Sequence, residues 1–357
     1  MEMTMRNYID EQPSVLQDLL DRRSEYTCKL KRDWKQYQPD RLYLIGSGSS
    51  YNAIAAATPF MERVLGMEVN AHVPSALPVI RAKRPMVWFV SQGGHSTNTL
   101  YAMEKLKDIP GIAIAGTEDC QMRCIAEHFT LLPCGAENVG PKTKGYLSTI
   151  IFLYTAAMQI ALENGLISAQ EELEIAGELY ESVAYMKQNI VLSEAWVEKN
   201  AAVLTHMPHY VVVGKGQAGI VAKEGALKLV ETVLKPASYY EFEEFLHGPI
   251  SDINGMLAGI YMLPHRNDPD YERMLKVARV HAEKSDAVCI VGVCGEEGED
   301  ILGLKTGKAW YTEPLAHILV CQLIGSNLPE RMNVGERSKN IFERIDRMVD
   351  VKYGHKA

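Results

Sequence analysis

The sequence predicts an α/β fold of two doubly wound parallel-sheet domains with helices on both faces, related by internal duplication. Three observations predict it. Apolar strands alternate with helical patterns along most of the chain, and strands that are apolar throughout belong to parallel sheets covered on both sides. The stretch Leu42-Tyr-Leu-Ile-Gly46-Ser-Gly48 has a near-copy in Tyr210-Val-Val-Val-Gly214-Lys-Gly216, 168 residues later in a chain of 357. Between the copies, residues 145 to 200 hold no strand candidate and are rich in Ala, Leu, Glu and Met, so they are expected to be a helical hairpin broken at Gly165.

In chain order, Val15, Leu16, Leu19, Leu20 and Tyr26 recur at helical spacing among charges, so residues 14 to 37 form an amphipathic lead-in helix with Pro13 near its start. Then come strand 41–45, helix 50–65, strand 68–73, strand 86–90, helix 96–107, strand 111–115, a short helix over 119–126 and strand 128–132. In the second half, strands are expected near 236–239, 257–263, 287–293 and 308–311, with helices over 270–284 and 314–325. A charged tail with Arg344, Arg347 and Lys352 follows Ser326. The expected division is a lead-in helix at 1–38, a first sheet domain at 39–165, a helical linker at 166–200, a second sheet domain at 201–340 and a tail at 341–357.

Composition narrows the function classes. A hydrophobic share of 47% and a charged share of 23% are ordinary for a globular protein, and the net charge of −8 argues against a nucleic-acid partner, which needs a clustered basic surface. Seven cysteines (Cys28, Cys120, Cys124, Cys134, Cys289, Cys294 and Cys321) are scattered without a C-x-x-C pair, which reads as reduced thiols rather than a metal site. Met1 to Asp10 lacks the apolar core of a signal peptide, and no apolar run is expected to reach transmembrane length. The expectation is a soluble cytoplasmic protein with no membrane partner, no metal and no cofactor.

The chemistry concentrates in loops that follow strands. At Gly46-Ser-Gly48-Ser49-Ser50-Tyr51 an apolar strand meets a helix, where unpaired N–H groups and the positive end of the helix dipole favour an anion. Tyr51 replaces the third glycine of a dinucleotide fingerprint, and Val73-Pro74 ends the next strand where an acid should hold a ribose, so NAD is disfavoured. No G-x-x-x-x-G-K-[ST] motif is present either. Capping by Ser49 or Ser50 would explain this loop in isolation. A companion loop, Ser91-Gln92-Gly93-Gly94-His95-Ser96-Thr97, sets more hydroxyl and amide donors around a Gly-Gly pair that lets an anion approach the backbone, and together the loops suit a phosphate monoester. The second half offers Pro264-His265-Arg266-Asn267-Asp268 instead. There, Glu224-Gly-Ala-Leu-Lys-Leu-Val-Glu231 and His247-Gly248-Pro249 supply an acid and a histidine, the pair that proton transfer at carbon requires. By spacing alone, a solvated helical Glu and a structural His fit as well.

In this order the motifs resemble the sugar isomerase (SIS) fold, and within it the double-SIS family of the isomerase half of glucosamine-6-phosphate synthase. The likeness includes Ile9-Asp-Glu11-Gln12-Pro13, Gly48-Ser-Ser50-Tyr51-Asn52, Ser91-Gln92-x-Gly94, Glu137 to Lys144, Glu224-Gly-Ala-Leu-Lys and His247-Gly-Pro249. The resemblance implies that Ser49, Ser50, Ser91, Gln92 and Ser96 hold a substrate phosphate, with Gly93 standing where a serine is usual. It implies that Glu231 shuttles a proton between carbons, that His247 is the ring-opening acid/base, and that Gly48, Gly94, Lys142, Glu224 and Arg347 complete the substrate site. A homodimer, or a dimer of dimers with shared active sites, is implied too, since the family's histidine reaches a neighbouring subunit. Two departures matter. The chain is expected to lack the synthase's glutaminase domain. Arg347 stands where the synthase has an imine-forming lysine, and an arginine stays protonated and cannot be that nucleophile. The related fructosamine-6-phosphate deglycases share the first departure.

The reading is an enzyme acting on an amino or aminated hexose 6-phosphate by C1–C2 proton transfer through an open-chain intermediate, as isomerase with deaminase or deglycase outcome. The competing class is a non-catalytic phosphosugar sensor or regulatory protein.

Overall fold

A computed structural model describes residues 3–293, 298–334 and 337–353; Cys294 lies outside them. The chain forms two compact units, one of Ser14–Ala176 with Lys339–Ala357, the other of Met1–Pro13 with Gly177–Ser338.

The chain opens with three helices, α1 (Met5–Asp21), α2 (Arg23–Tyr26) and α3 (Cys28–Tyr37), where one helix over 14–37 was expected. Pro13 lies inside α1 rather than at its start. It has no N–H for the Ile9 carbonyl one turn back, and the buried Gln12 side chain donates there instead at 3.3 Å, so the helix continues through the proline.

β1 (Arg41–Gly46), α4 (Ser49–Leu65), β2 (Val69–His72), β3 (Pro85–Val90), α5 (Thr97–Lys105), β4 (Gly111–Ala115), α6 (Gln121–Ile125) and β5 (His128–Leu131) follow. The strands form a parallel sheet in the order β2-β1-β3-β4-β5, in register at Leu42 with Val69, Leu42 with Met86 and Val87 with Gly111. Tyr43, Ile45, Val87 and Phe89 face Leu100, Met103 and Met122 of α5 and α6 on one side. On the other, α4 is backed by α7 (Lys144–Glu163). Contrary to the sequence expectation, α7 is long and apolar enough to cross a membrane, with a mean hydropathy of 1.5, but 94% of that stretch is buried within the protein. Its apolar side chains meet α2, α3 and α4, and the polar Lys144, Ser148, Thr149 and Thr155 among them break up the run as read in sequence.

After Gly165, in the left-handed region at φ 68°, α8 runs over Ala169–His206. Then come β6 (His209–Gly214), α9 (Gln217–Thr232), β7 (Ala237–Glu241), α10 (Phe242–Leu246), β8 (Leu257–Met262), α11 (Tyr271–Ala282), β9 (Val288–Val293), β10 (Ile301–Leu304), α12 (Pro314–Asn327) and α13 (Arg337–Val349). The second sheet, β7-β6-β8-β9-β10, repeats the order of the first. Val211, Val213 and Tyr261 pack on Phe242 and Phe245 of α10 and Met274 of α11, while α9 is backed by α12.

The last strand is not where the sequence put it. Residues 308–311 are a loop entering a short 3₁₀ turn, Trp310–Thr312, because side chains of α8 take their backbone donors: Lys308 N–H and Ala309 N–H both reach the Glu178 carboxylate, and Gly307 N–H reaches Ser182 Oγ at 2.7 Å. The strand lies earlier, at Ile301-Leu-Gly-Leu304, a short run interrupted by glycine.

Candidate active site

In an open sheet ordered 2-1-3-4-5, the crevice for ligands opens where the connections from strands 1 and 3 run to opposite faces. In the first unit this places the loops after β1 and β3 at the switch point. Gly46 approaches the neighbouring strand so closely that a Cβ would come 3.0 Å from the Val90 carbonyl oxygen. Gly48, at φ 54°, is the N-cap of α4, so Ser49 and Ser50 stand in the helix's first turn rather than capping it. In the second loop Ser91 is buried, and its Oγ accepts from Gly94 N–H at 3.2 Å. Gly94, at φ 67°, could carry no side chain, since a Cβ would lie 2.4 Å from Cys120 Sγ, whereas Gly93 has nothing within 4 Å and is the open glycine of the pair. Asn98, which the sequence reading passed over, ties the loops together: its Oδ1 accepts from Ser47 Oγ at 3.0 Å and Ser96 Oγ at 2.7 Å.

Beneath the loop, Gln92 Nε2 donates to Glu137 Oε2 at 2.9 Å. Glu137 is buried and caps α7, accepting from Thr143 N–H at 2.7 Å, Thr143 Oγ1 at 2.9 Å, Lys144 N–H at 3.2 Å and Gly145 N–H at 2.9 Å. Lys142 Nζ donates to the carbonyls of Glu137 and Val139 at 2.5 and 2.7 Å, which holds the turn leading into the cap. The segment after α13 lies along the loop's other side, with Thr97 N–H on the Val351 carbonyl at 3.3 Å and Tyr353 N–H on the His95 carbonyl at 2.9 Å. Arg347 is exposed on α13, 3.8 Å from Glu343; Val351, Lys352 and Tyr353 are the tail residues that meet the loop.

The second unit repeats the turn and changes its chemistry. Gly216 caps α9 at φ 54°, as Gly48 caps α4, and a Cβ on Gly214 would fall 2.4 Å from the Ala218 carbonyl oxygen. The loops at this switch point carry their own anions: Lys215 Nζ lies 2.5 Å from Asp268 and 2.6 Å from Asp270. About two turns into the helix, α9 holds a chain of charges at i, i+4 and i+7. Lys228 is fully buried, with Nζ 3.2 Å from the equally buried Glu224 and 2.6 Å from Glu231, whose side chain is 36% exposed. Burial works against the ammonium, but the two carboxylates outweigh it and hold Lys228 above the ordinary lysine range. The sequence reading named Glu224 and Glu231 and gave no role to Lys228, although the helical spacing that joins all three is visible in Glu224-Gly-Ala-Leu-Lys228-Leu-Val-Glu231.

His247 is exposed at the end of α10. Gly248, at φ 139°, and Pro249, opening a 3₁₀ turn, fix the chain just after it.

No family model matches the chain. Among solved structures, a phosphosugar isomerase candidate from Clostridium difficile 630 superposes with a TM-score of 0.83 at 26% identity, over 92% of this chain and 93% of that one. This chain has the double SIS fold. A glucosamine-6-phosphate deaminase from Thermotoga maritima shares the fold at a TM-score of 0.66 and 20% identity, over 87% of this chain and 94% of that one. In sequence, the chain is similar to the glutamine–fructose-6-phosphate aminotransferase (isomerizing) of Helicobacter pylori strain J99, 26% identical over 340 residues, 92% of this chain and 56% of that protein. The chain thus spans little more than half the length of the curated relatives it matches. Within the SIS fold, each half contributes one kind of apparatus: hydroxyl-bearing loops in the first and a buried acid–lysine–acid chain with a nearby exposed end in the second. The first was visible as local motif; Asn98 became visible only with Ser47, while Lys228 could have been found from its helical spacing to Glu224 and Glu231.

Proposed function

We propose that the chain is a phosphosugar enzyme acting on an amino or aminated hexose 6-phosphate by moving a proton between C1 and C2 of the open-chain sugar. The observation that carries this reading is the Glu224–Lys228–Glu231 chain, which brings a carboxylate from a desolvated ion cluster to a partly exposed position. Such a carboxylate is held in place by the ammonium and keeps one end open to a substrate, which is what a proton shuttle at carbon needs.

Ser49, Ser50, Ser91 and Ser96 hold the phosphate with the backbone of Gln92, remote from the reacting carbons. His247 passes the proton that opens the ring. Glu231 then takes a proton from one carbon, leaving an enolamine, and returns it to the other, leaving an imine that water hydrolyses to a carbonyl and a free amine. From a 2-amino aldose the proton moves from C2 to C1 and the outcome is deamination to a ketose; from a 1-amino ketose it moves from C1 to C2 and the outcome is deglycation to an aldose. One carboxylate serves both directions. The family resemblance adds a homodimer, or a dimer of dimers, with shared sites.

The test is incubation of the purified protein with glucosamine 6-phosphate, fructose 6-phosphate plus ammonia, and a series of fructosamine 6-phosphates, following released amine and sugar phosphate. Turnover of at least one supports the reading. Binding of sugar phosphates without turnover of any contradicts it and favours the sensor.

A further inference from the structure

We infer that Gln92 and Glu137 form a clamp that positions the loop after β3, and that Gln92 acts on a phosphate through this clamp and not as a side-chain ligand. This rests on the phosphate role proposed above for that loop.

A carboxylate only accepts hydrogen bonds, so Gln92 must turn its amide nitrogen toward Glu137. The same nitrogen lies 3.9 Å from Cys134 Sγ. With the amide N–H groups directed into the protein, the side chain has only its carbonyl oxygen left, which repels a phosphate. The backbone of Gln92 is fixed as well, its carbonyl accepting from Gly116 N–H at 2.8 Å at the end of β4. One residue is therefore bolted to β4 through its main chain and to the N-terminus of α7 through its side chain. Glu137 is the shared anchor, since the carboxylate that takes the Gln92 amide also takes three backbone donors of the first turn of α7. Gly145 completes the fit: a Cβ there would fall 2.0 Å from the Gln92 carboxamide, so the amide lies directly on the helix backbone. The clamp sets where the loop's own N–H and hydroxyl groups stand, and Gln92, Glu137 and Gly145 are positioning residues.

Gly145→Ala separates the clamp from the helix. Alanine in the first turn of α7 favours the helix, while its methyl displaces the Gln92 carboxamide from Glu137. The expected result is a folded protein whose unfolding temperature stays at or slightly below wild type, the helix gain offsetting part of the lost Gln92–Glu137 bond, with affinity for glucosamine 6-phosphate and inorganic phosphate, read by calorimetry, reduced about tenfold, as for one lost ordering hydrogen bond. Gln92→Ala should show a similar loss, and the double variant should be no weaker than the weaker single one, because both break one unit. Wild-type affinity in Gly145→Ala, or additive losses in the double variant, would overturn the inference. Should Gly145→Ala not fold, Glu137→Gln, which weakens the hold on the Gln92 amide and adds no negative charge near the phosphate, carries the same expectation and the same refutation. A wild-type protein that binds neither ligand removes the phosphate-loop reading itself, and the inference with it.

Discussion

Lys228 shows how a fully buried charge is accommodated. Its ammonium is desolvated, and the fold tolerates that because Glu224 and Glu231 flank it on the same helix face. Lys228→Met would leave Glu224 buried with its counter-charge gone, and is expected to cost about 3–5 kcal/mol in chemical denaturation. It should also impair turnover through Glu231. Another buried acid, Glu313, has no lysine partner of this kind among the described residues. Burial pushes it up to about 8 from an ordinary 4.5, against a hydrogen bond from the His265 backbone and with Asp268 nearby adding to the rise. Between those pH values the folded state binds more protons than the unfolded state, so this residue's contribution to stability falls as pH rises from 4.5 to 8. Glu313→Gln should therefore raise the unfolding temperature at pH 8 and leave it unchanged near pH 4.5; an equal gain at both would show that the effect is packing and not ionisation. At this scale the sequence discloses residues whose chemistry sits in a local motif, such as Ser50, Ser91 and Glu231. Asn98 and Glu137 owe part of their importance to Ser47 and Gln92, brought to them by folding; the stretch Glu137 to Lys144 was visible as a motif, but not that its acid caps α7.

Among the elements, the strand-to-helix turns were legible because glycine has a geometric reason to be there. Gly214 illustrates this: the atoms a Cβ would meet are the backbone oxygen and carbon of Ala218, which cannot swing aside. Gly214→Ala is expected to destabilise by about 1–3 kcal/mol. Gly177, exposed within α8 with nothing within 4 Å of its Cβ position, should respond oppositely, Gly177→Ala stabilising by about 1 kcal/mol. Thermal unfolding of the two variants checks both signs. Elements were misread where side chains, one local and two from a distant part of the chain, took over backbone hydrogen bonds. Gln12 carries α1 through Pro13, and Glu178 with Ser182 holds residues 307–309 as a loop, so that the last strand falls at Ile301–Leu304. The tail hid α13 for another reason: its charges dominate the composition, while Ile341, Phe342, Ile345 and Met348 recur at helical spacing among them and remain exposed.

For the whole molecule, the duplication explains both the likeness and the division of labour. Two sheets of the same strand order begin with the same glycine turn, Gly48 and Gly216 both at φ 54°. The first presents hydroxyls at its switch point. The second fills the equivalent place with Lys215 paired to Asp268 and Asp270, and carries the Glu224–Lys228–Glu231 chain further along α9. That the halves would differ was legible from the loop sequences; that the second supplies its own internal anions was not, because Lys215 and Asp268 are 53 residues apart. The central claim is that Glu231 moves a proton between two carbons of a bound sugar phosphate, and exchange with solvent reports it directly. With the protein in deuterium oxide and the substrate that turns over in the panel, proton NMR should show deuterium entering at C1 or C2 with wild type and none with Glu231→Gln, while that variant still binds the sugar phosphate. Exchange that continues undiminished in Glu231→Gln would contradict the claim.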